Sequence, residues 1–184
     1  MADVAGPVRS YRYVGPLELK AAVRPGGGGC RIASAGDFDG WIGEQPAAEL
    51  AEPFTFVVDT DRVLRLAPRR SEHVACAGGG TVLGAGEISF TRDADRWAVS
   101  EVSNQSTGYC PDVSSWVEVA RALDAVGLER PSSFTHEVVF RRCLDCQEHN
   151  IVREDDFVCV FCGSDLPAVW NVDPTGTRMG PPAP

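Results

Sequence analysis

Apolar positions recur along this chain with two different periods. Trp116, Val119, Ala120, Leu123 and Val126 repeat at helical spacing, which places one apolar stripe along a helix. Ser115 and Glu118 have the spacing of a capping box, and Gly127 supplies a left-handed stop, so a helix is predicted over 115–126. A second helix is predicted over 34–44, with Ser34 as its cap and Phe38, Trp41 and Ile42 on one face. Shorter helical stretches are expected at 17–23, behind Pro16, and at 47–51. From Phe54 the pattern changes to that of strands. Runs at 54–58, 63–66, 81–90 and 97–102 alternate or are densely apolar, with polar turns at 60–62 and 93–95. They read as a meander. Gly84 and Gly86 interrupt the third run and predict a bulge or a close backbone approach. Further short strands are expected at 11–14, 31–33 and 138–140. This order predicts an α+β fold, a mainly antiparallel sheet with a few packed helices covering one face.

Composition and charge narrow the function classes. The chain has 184 residues, 43% hydrophobic and 23% charged, with 17 Lys+Arg against 26 Asp+Glu and a formal charge of -9. An ordinary globular composition with an acidic balance argues against broad electrostatic binding to nucleic acid or to an anionic membrane. No apolar run approaches the ~20 residues that span a bilayer. The first ten positions lack the basic start and apolar stretch of an export signal, so a cytoplasmic location is expected.

The seven cysteines are Cys30, Cys76, Cys110, Cys143, Cys146, Cys159 and Cys162. An odd count without an export signal speaks against a disulfide framework. The last four form C-x2-C-x12-C-x2-C. Two cysteines three positions apart on a tight turn can face one ion, and a second such turn returned by a hairpin closes a tetrahedron of thiolates. The intervening sequence suits that hairpin: Ile151 and Val152 form a strand, Glu154, Asp155 and Asp156 a turn, and Phe157 and Val158 the return. Gly163 lets the backbone turn after Cys162. These residues resemble the zinc-ribbon family. The resemblance implies a small zinc ribbon at the C-terminal end, with Cys143, Cys146, Cys159 and Cys162 holding a structural Zn²⁺. Four protein ligands leave no open position for catalysis; iron suits the same sulfur set. His149 reads as a surface residue. The expected organisation is an α+β domain over 1–137, the ribbon over 138–170 and a flexible tail over 171–184.

Other candidate chemistry lies mid-chain. The glycine run 26–29 lacks the Lys-Ser/Thr pair of a phosphate-binding loop and reads as a linker. His73 has a side chain suited to general acid–base work. Glu87 could orient it, and Tyr109 could complete a catalytic set. Arg69 and Arg70 precede His73 and suit an anionic ligand, while Asn104 and Ser106 offer hydrogen-bonding groups on an adjoining loop. Cys76, three positions after His73, is conceivable as a nucleophile but reads more simply as an inert buried thiol.

The stretch from His73 through Cys76, Gly78, Gly79, Gly80 and Gly84 to Gly86, followed by Ser106-Thr107-Gly108-Tyr109-Cys110-Pro111, resembles the conserved domain of plant IQ-motif calmodulin-binding proteins and some bacterial relatives. Those carry H-S-S-x-x-x-G-G…A-A-G and then S-G-H-Y-x-P. The matching positions are His73, Gly79, Gly80, Ala85, Gly86, Ser106, Tyr109 and Pro111. Val74 and Ala75 replace the serines, Gly108 replaces the second histidine, and no IQ motif is present. The resemblance implies a shared domain.

The function expected from the sequence is that of a zinc-binding protein whose α+β domain binds a small ligand, an anionic one included, or a protein partner. The alternative is an enzyme acting on a small or nucleotide-like substrate through His73 and Glu87. A nucleic-acid adaptor is disfavoured, because Arg141, Arg142 and Arg153 are opposed by Asp145, Glu148, Glu154, Asp155 and Asp156 around the cysteines.

Overall fold

The structure is a computed structural model, and it describes residues 8–173 and 178–179. In chain order the elements are β1 (Val8–Arg9), α1 (Leu17–Ala21), β2 (Cys30–Ile32), α2 (Ala35–Gly43), α3 (Ala47–Leu50), β3 (Phe54–Asp59), β4 (Leu64–Ala67), α4 (His73–Cys76), β5 (Val82–Asp93), β6 (Arg96–Val102), α5 (Trp116–Val126), β7 (Val139–Arg142), β8 (His149–Val152) and β9 (Arg178–Met179). The fold is α+β as expected. Its centre is a five-stranded antiparallel sheet in the order β2-β4-β3-β5-β6.

That order is not a meander. β3 lies between β4 and β5, and the connection through α4 carries the chain across it. β3 is buried along its whole length because helices cover both faces of the sheet, not one. Phe54, Phe56 and Val58 face a core completed by Phe38, Trp41 and Ile42 of α2 and by Val119, Leu123 and Val126 of α5. Val57 faces the other way, toward Val74 and Cys76 of α4, Tyr11 and Tyr109, with Leu19 of α1 packed alongside. A densely apolar run of this kind signals a strand covered on both sides.

The two strand glycines have distinct reasons. The register between β3 and β5 shifts at Val58/Asp59, beside Gly84, so a bulge sits there. A Cβ on Gly86 would overlap the backbone carbonyl of Ser103, so only glycine permits that approach.

The helix caps divide. Ser34 accepts from the Asp37 backbone N–H at 3.2 Å, as expected of a cap. Ser115 does not cap α5: its backbone is already helical and its side chain makes no cap bond. A 3₁₀ turn precedes the helix, and the Asp112 carboxylate accepts from Val113 N–H at its start. Glu118 is instead buried, paired with Arg62 at 3.0 Å and Arg121 at 2.7 Å. Gly127 ends α5 in the left-handed conformation with φ +82°.

The C-terminal end is fastened to the sheet domain at several points. Phe140 and Val172 are buried with Cys110, and Trp170 donates to the Cys110 carbonyl at 2.8 Å. The Asn171 side chain bonds both backbone groups of Arg142. Asp173 takes a bidentate pair from Arg12 at 2.8 and 2.9 Å. β9 pairs with β1. The remainder of the expected tail, 174–177 and 180–184, lies outside the described residues.

Candidate metal centre

The β7-β8 hairpin and the loop that follows it create two matching knuckles. In the first, Cys143 N–H donates to the Glu148 carbonyl at 2.9 Å and Gln147 N–H to the Cys143 carbonyl at 3.1 Å. In the second, Cys159 N–H donates to the Ser164 carbonyl at 2.8 Å and Gly163 N–H to the Cys159 carbonyl at 2.9 Å. The residue after each second cysteine takes a positive φ, +68° at Gln147 and +79° at Gly163. Glu154 and Asp155, between the knuckles, also have positive φ, +53° and +57°. That combination at two central turn positions suits a tight reversal whose twist matches its flanking strands. The return after this turn is a pair of isolated bridges, Arg153 with Asp156 and Val158 with Asp165, where the sequence suggested a strand at Phe157 and Val158.

The knuckles face each other. Cys143 and Cys162 sulfurs lie 3.6 Å apart, as do those of Cys146 and Cys159, and all four lie within 4.8 Å of one another. A disulfide needs ~2.05 Å. A regular tetrahedron of thiolates at ~2.3 Å from one metal ion has edges of about 3.8 Å. The cluster therefore has the ligand number and spacing to hold a metal ion.

The surroundings favour at Cys159 and Cys162 the thiolate form that a metal requires, whereas Cys146, despite the Glu148 N–H, is pushed up to about 12 by burial and by the three neighbouring thiols. Burial opposes ionisation of Cys159, but the N–H groups of Cys162 and Phe161 and the Asn150 amide outweigh it and hold that thiol below its usual range. Ser164, by side chain and by backbone, lowers Cys162 in the same way. Asn150 was missed from the sequence. It is buried in β8, donates to the Glu148 carbonyl at 3.0 Å and to the Cys159 sulfur at 3.5 Å, and accepts from Val160 N–H at 3.0 Å. One side chain thus ties the first knuckle to the second. The available signal was a polar residue inside a short apolar strand, which when buried needs partners. Arg141 was likewise missed as a structural group. It is buried and donates to the carbonyls of Pro167, Phe140 and Ala168, holding the chain beyond the second knuckle.

The two left-handed knuckle positions respond oppositely to substitution. Gly163→Ala should destabilise the metal-loaded protein by about 1 kcal/mol, because alanine resists positive φ. Gln147→Gly should be neutral or stabilise by a few tenths. Urea midpoints of both variants check this; a harmless Gly163→Ala would contradict it.

Most of the mid-chain candidates are engaged by partners within the fold. His73 Nε2 donates to the Gly86 carbonyl at 2.9 Å, pinning α4 to β5. Glu87 opens onto a cavity of about 240 Å³ whose lining includes Glu101, Ser103, Gln105 and His136, but neither His73 nor Tyr109. Tyr109 is buried and its hydroxyl donates to the Gly80 carbonyl at 2.6 Å. Arg69 pairs with Glu52, and Arg70 with Glu49 at 3.2 Å. Asn104 donates to the carbonyls of Pro111 at 3.0 Å and Val138 at 2.7 Å, and accepts from Val138 N–H at 2.7 Å. Ser106 is buried, and its hydroxyl has no partner among the described residues. Gly108, where the resembled pattern has histidine, lies under Tyr13: a Cβ there would sit 2.5 Å from the ring. A cleft of about 280 Å³ at this place is lined by Tyr13, Glu72, Thr107 and, from the hairpin, His149. Cys76 and Cys110 are buried thiols pushed up to about 12, which removes the thiolate needed for nucleophilic chemistry at neutral pH.

His73 gives a pH test. Burial holds it below its usual 6.5, against the opposing pull of the Gly86 bond and of Glu87 and Glu72. The unfolded chain therefore binds a proton at a pH where the folded protein does not. Stability contributed by neutral His73 is complete above pH 6.5 and declines as pH falls toward the lower folded value. His73→Gln should have a shallower loss of stability between pH 7 and 5.5 than the unsubstituted protein. Equal slopes in paired urea titrations would show that His73 does not titrate in this way.

No helix among the described residues is long and apolar enough to cross a membrane. Comparison with known protein families, curated proteins and solved structures finds no match to this chain, so the resemblance of 73–111 gains no support, and the four clustered cysteines are a group among the described residues that could hold a metal ion.

Proposed function

We propose that this is a structural-zinc protein in which Cys143, Cys146, Cys159 and Cys162 bind one Zn²⁺ and thereby order a ribbon over 138–170, and that the ribbon and the α+β domain serve as a binding module. The observation that carries this is the convergence of four sulfurs within 4.8 Å on paired knuckles. Zinc is preferred because a closed set of four thiolates meets its tetrahedral demand, and because four protein ligands leave no position for substrate. Iron meets the same sulfur set and is the alternative ion. Of the two ligand classes, a protein partner is favoured over a small molecule. The arginines that suit an anion are engaged by Glu52 and Glu49, whereas large apolar side chains stand exposed on the knuckles.

Elemental analysis of purified protein tests the metal. One equivalent of zinc per chain is expected, with its loss in a Cys146→Ser/Cys159→Ser variant. Iron in its place, with the visible absorption of iron–thiolate bonds, would reassign the ion. A chain purified without metal that also fails to take up added Zn²⁺ would overturn the proposal.

A further inference from the structure

Two residues separate the cysteines of each knuckle, Leu144 and Asp145 in the first and Val160 and Phe161 in the second, and all four are exposed. Three of these four are large and apolar where solubility alone would favour polar ones, Asp145 being the exception. Leu144 is 61% exposed in the first knuckle, and Val160 and Phe161 are 77% and 63% exposed in the second. Their flanking sulfurs lie within 4.8 Å of one another, so both knuckles present these side chains around a single tetrahedron. Val158, at 40%, stands beside them on the approach to the second knuckle. Exposed phenylalanine and aliphatic side chains on two knuckles that share one sulfur cluster offer an interaction surface.

The surrounding charge identifies the occupant. Between 143 and 166 the chain carries Asp145, Glu148, Glu154, Asp155, Asp156 and Asp165 against the single cation Arg153, and all six acids are exposed. A Zn²⁺ held by four thiolates leaves two further negative charges at the centre. A second copy of this chain would bring the same acids to the same surface, and its formal charge of -9 opposes self-association. Nucleic acid and anionic lipid are opposed on the same ground. Complementarity is met by an apolar segment flanked by cations.

We propose that the ribbon tip, through Leu144, Val160 and Phe161, docks a protein segment in which apolar side chains are interleaved with lysine or arginine. This rests on the zinc-ribbon reading, since the metal holds the two knuckles together.

The test uses the full metal-loaded chain and a fluorescent 18-residue amphipathic Leu/Lys peptide, with a Leu/Glu peptide of the same pattern as control. The Leu/Lys peptide should bind, more weakly at high salt, and should shift the amide resonances of 144, 160 and 161. The Leu/Glu peptide should not bind. A Val160→Asp/Phe161→Asp variant separates docking from simple charge attraction. It adds negative charge, so nonspecific adhesion of the cationic peptide would strengthen, whereas docking on the apolar tip should weaken at least tenfold. Unchanged metal content and melting of the variant confirm its fold. Equal or tighter binding by the variant, binding of both peptides alike, or no binding to the metal-loaded chain would overturn the proposal. Concentration-dependent dimers that the variant abolishes would assign the tip to a second copy and overturn it equally. A chain that binds the peptide at its tip yet holds no metal would instead overturn the zinc reading alone.

Discussion

Chelation should unfold the C-terminal end of this protein while leaving the five-stranded sheet folded. Among the described residues the apolar cluster at the knuckles comprises Val152, Leu166 and the cysteines Cys143 and Cys159, with Val139, Cys146 and Phe157 packed against it, while Phe140 and Ile151 pack instead toward Cys110. Beyond the β7-β8 hairpin, its backbone is held by isolated bridges. So small a core does not offset the conformational entropy of ordering its residues. Structural zinc contributes on the order of 10 kcal/mol in comparable small sites, and that binding energy is folding energy. Removing the ion also leaves four thiols within 4.8 Å that no longer share a counter-charge. Amide exchange after EDTA treatment should therefore lose protection over 139–166 and retain it in β3 and β5. Cys159→Ser should reproduce the effect without chelator. Melting and exchange that are indifferent to EDTA would show that the knuckles fold unaided.

Asn104→Ala should be strongly destabilising, by about 3–5 kcal/mol. Asn104 is fully buried, and its amide answers the carbonyls of Pro111 and Val138 and the N–H of Val138. Alanine leaves those three backbone groups without a partner, and each buried unsatisfied group costs about 1–3 kcal/mol. The effect should extend into the ribbon, because Val138 immediately precedes β7. Equilibrium denaturation measures the loss, and the variant should also release metal at lower chelator concentration. A loss under about 1 kcal/mol would mean that water replaces the amide.

The contrast between Asn104 and the cysteines shows how far the sequence could be read. Both were singled out from the sequence, Asn104 as a ligand-binding group and the cysteines as metal ligands. The cysteines were readable because their spacing is itself the geometry: two residues between partners on a tight turn place both sulfurs on one side. Asn104 was visible only as a polar residue in a loop. Its clasp on Val138, 34 positions away, depends on a segment that no local pattern brings near. Asn150 was overlooked for the same reason, since two of its three partners, the Cys159 sulfur and the Val160 N–H, belong to the second knuckle. The capping box at Ser115 failed because Asp112, three positions earlier, starts the helical turn first.

The sequence alone determined that helices cover a mainly antiparallel sheet, that 34–44 and 115–126 are helical, and that four cysteines meet at the C-terminal end. Each follows from short-range periodicity or spacing, where covalent geometry converts position into direction. Only the tertiary structure decided that β3 is central, that both sheet faces are covered, and that His73 and Tyr109 bond to the Gly86 and Gly80 carbonyls. It also left Leu144, Val160 and Phe161 exposed on the two knuckles. Those outcomes depend on which distant segments pack together, a choice made by the balance of burial and hydrogen bonding over the whole chain.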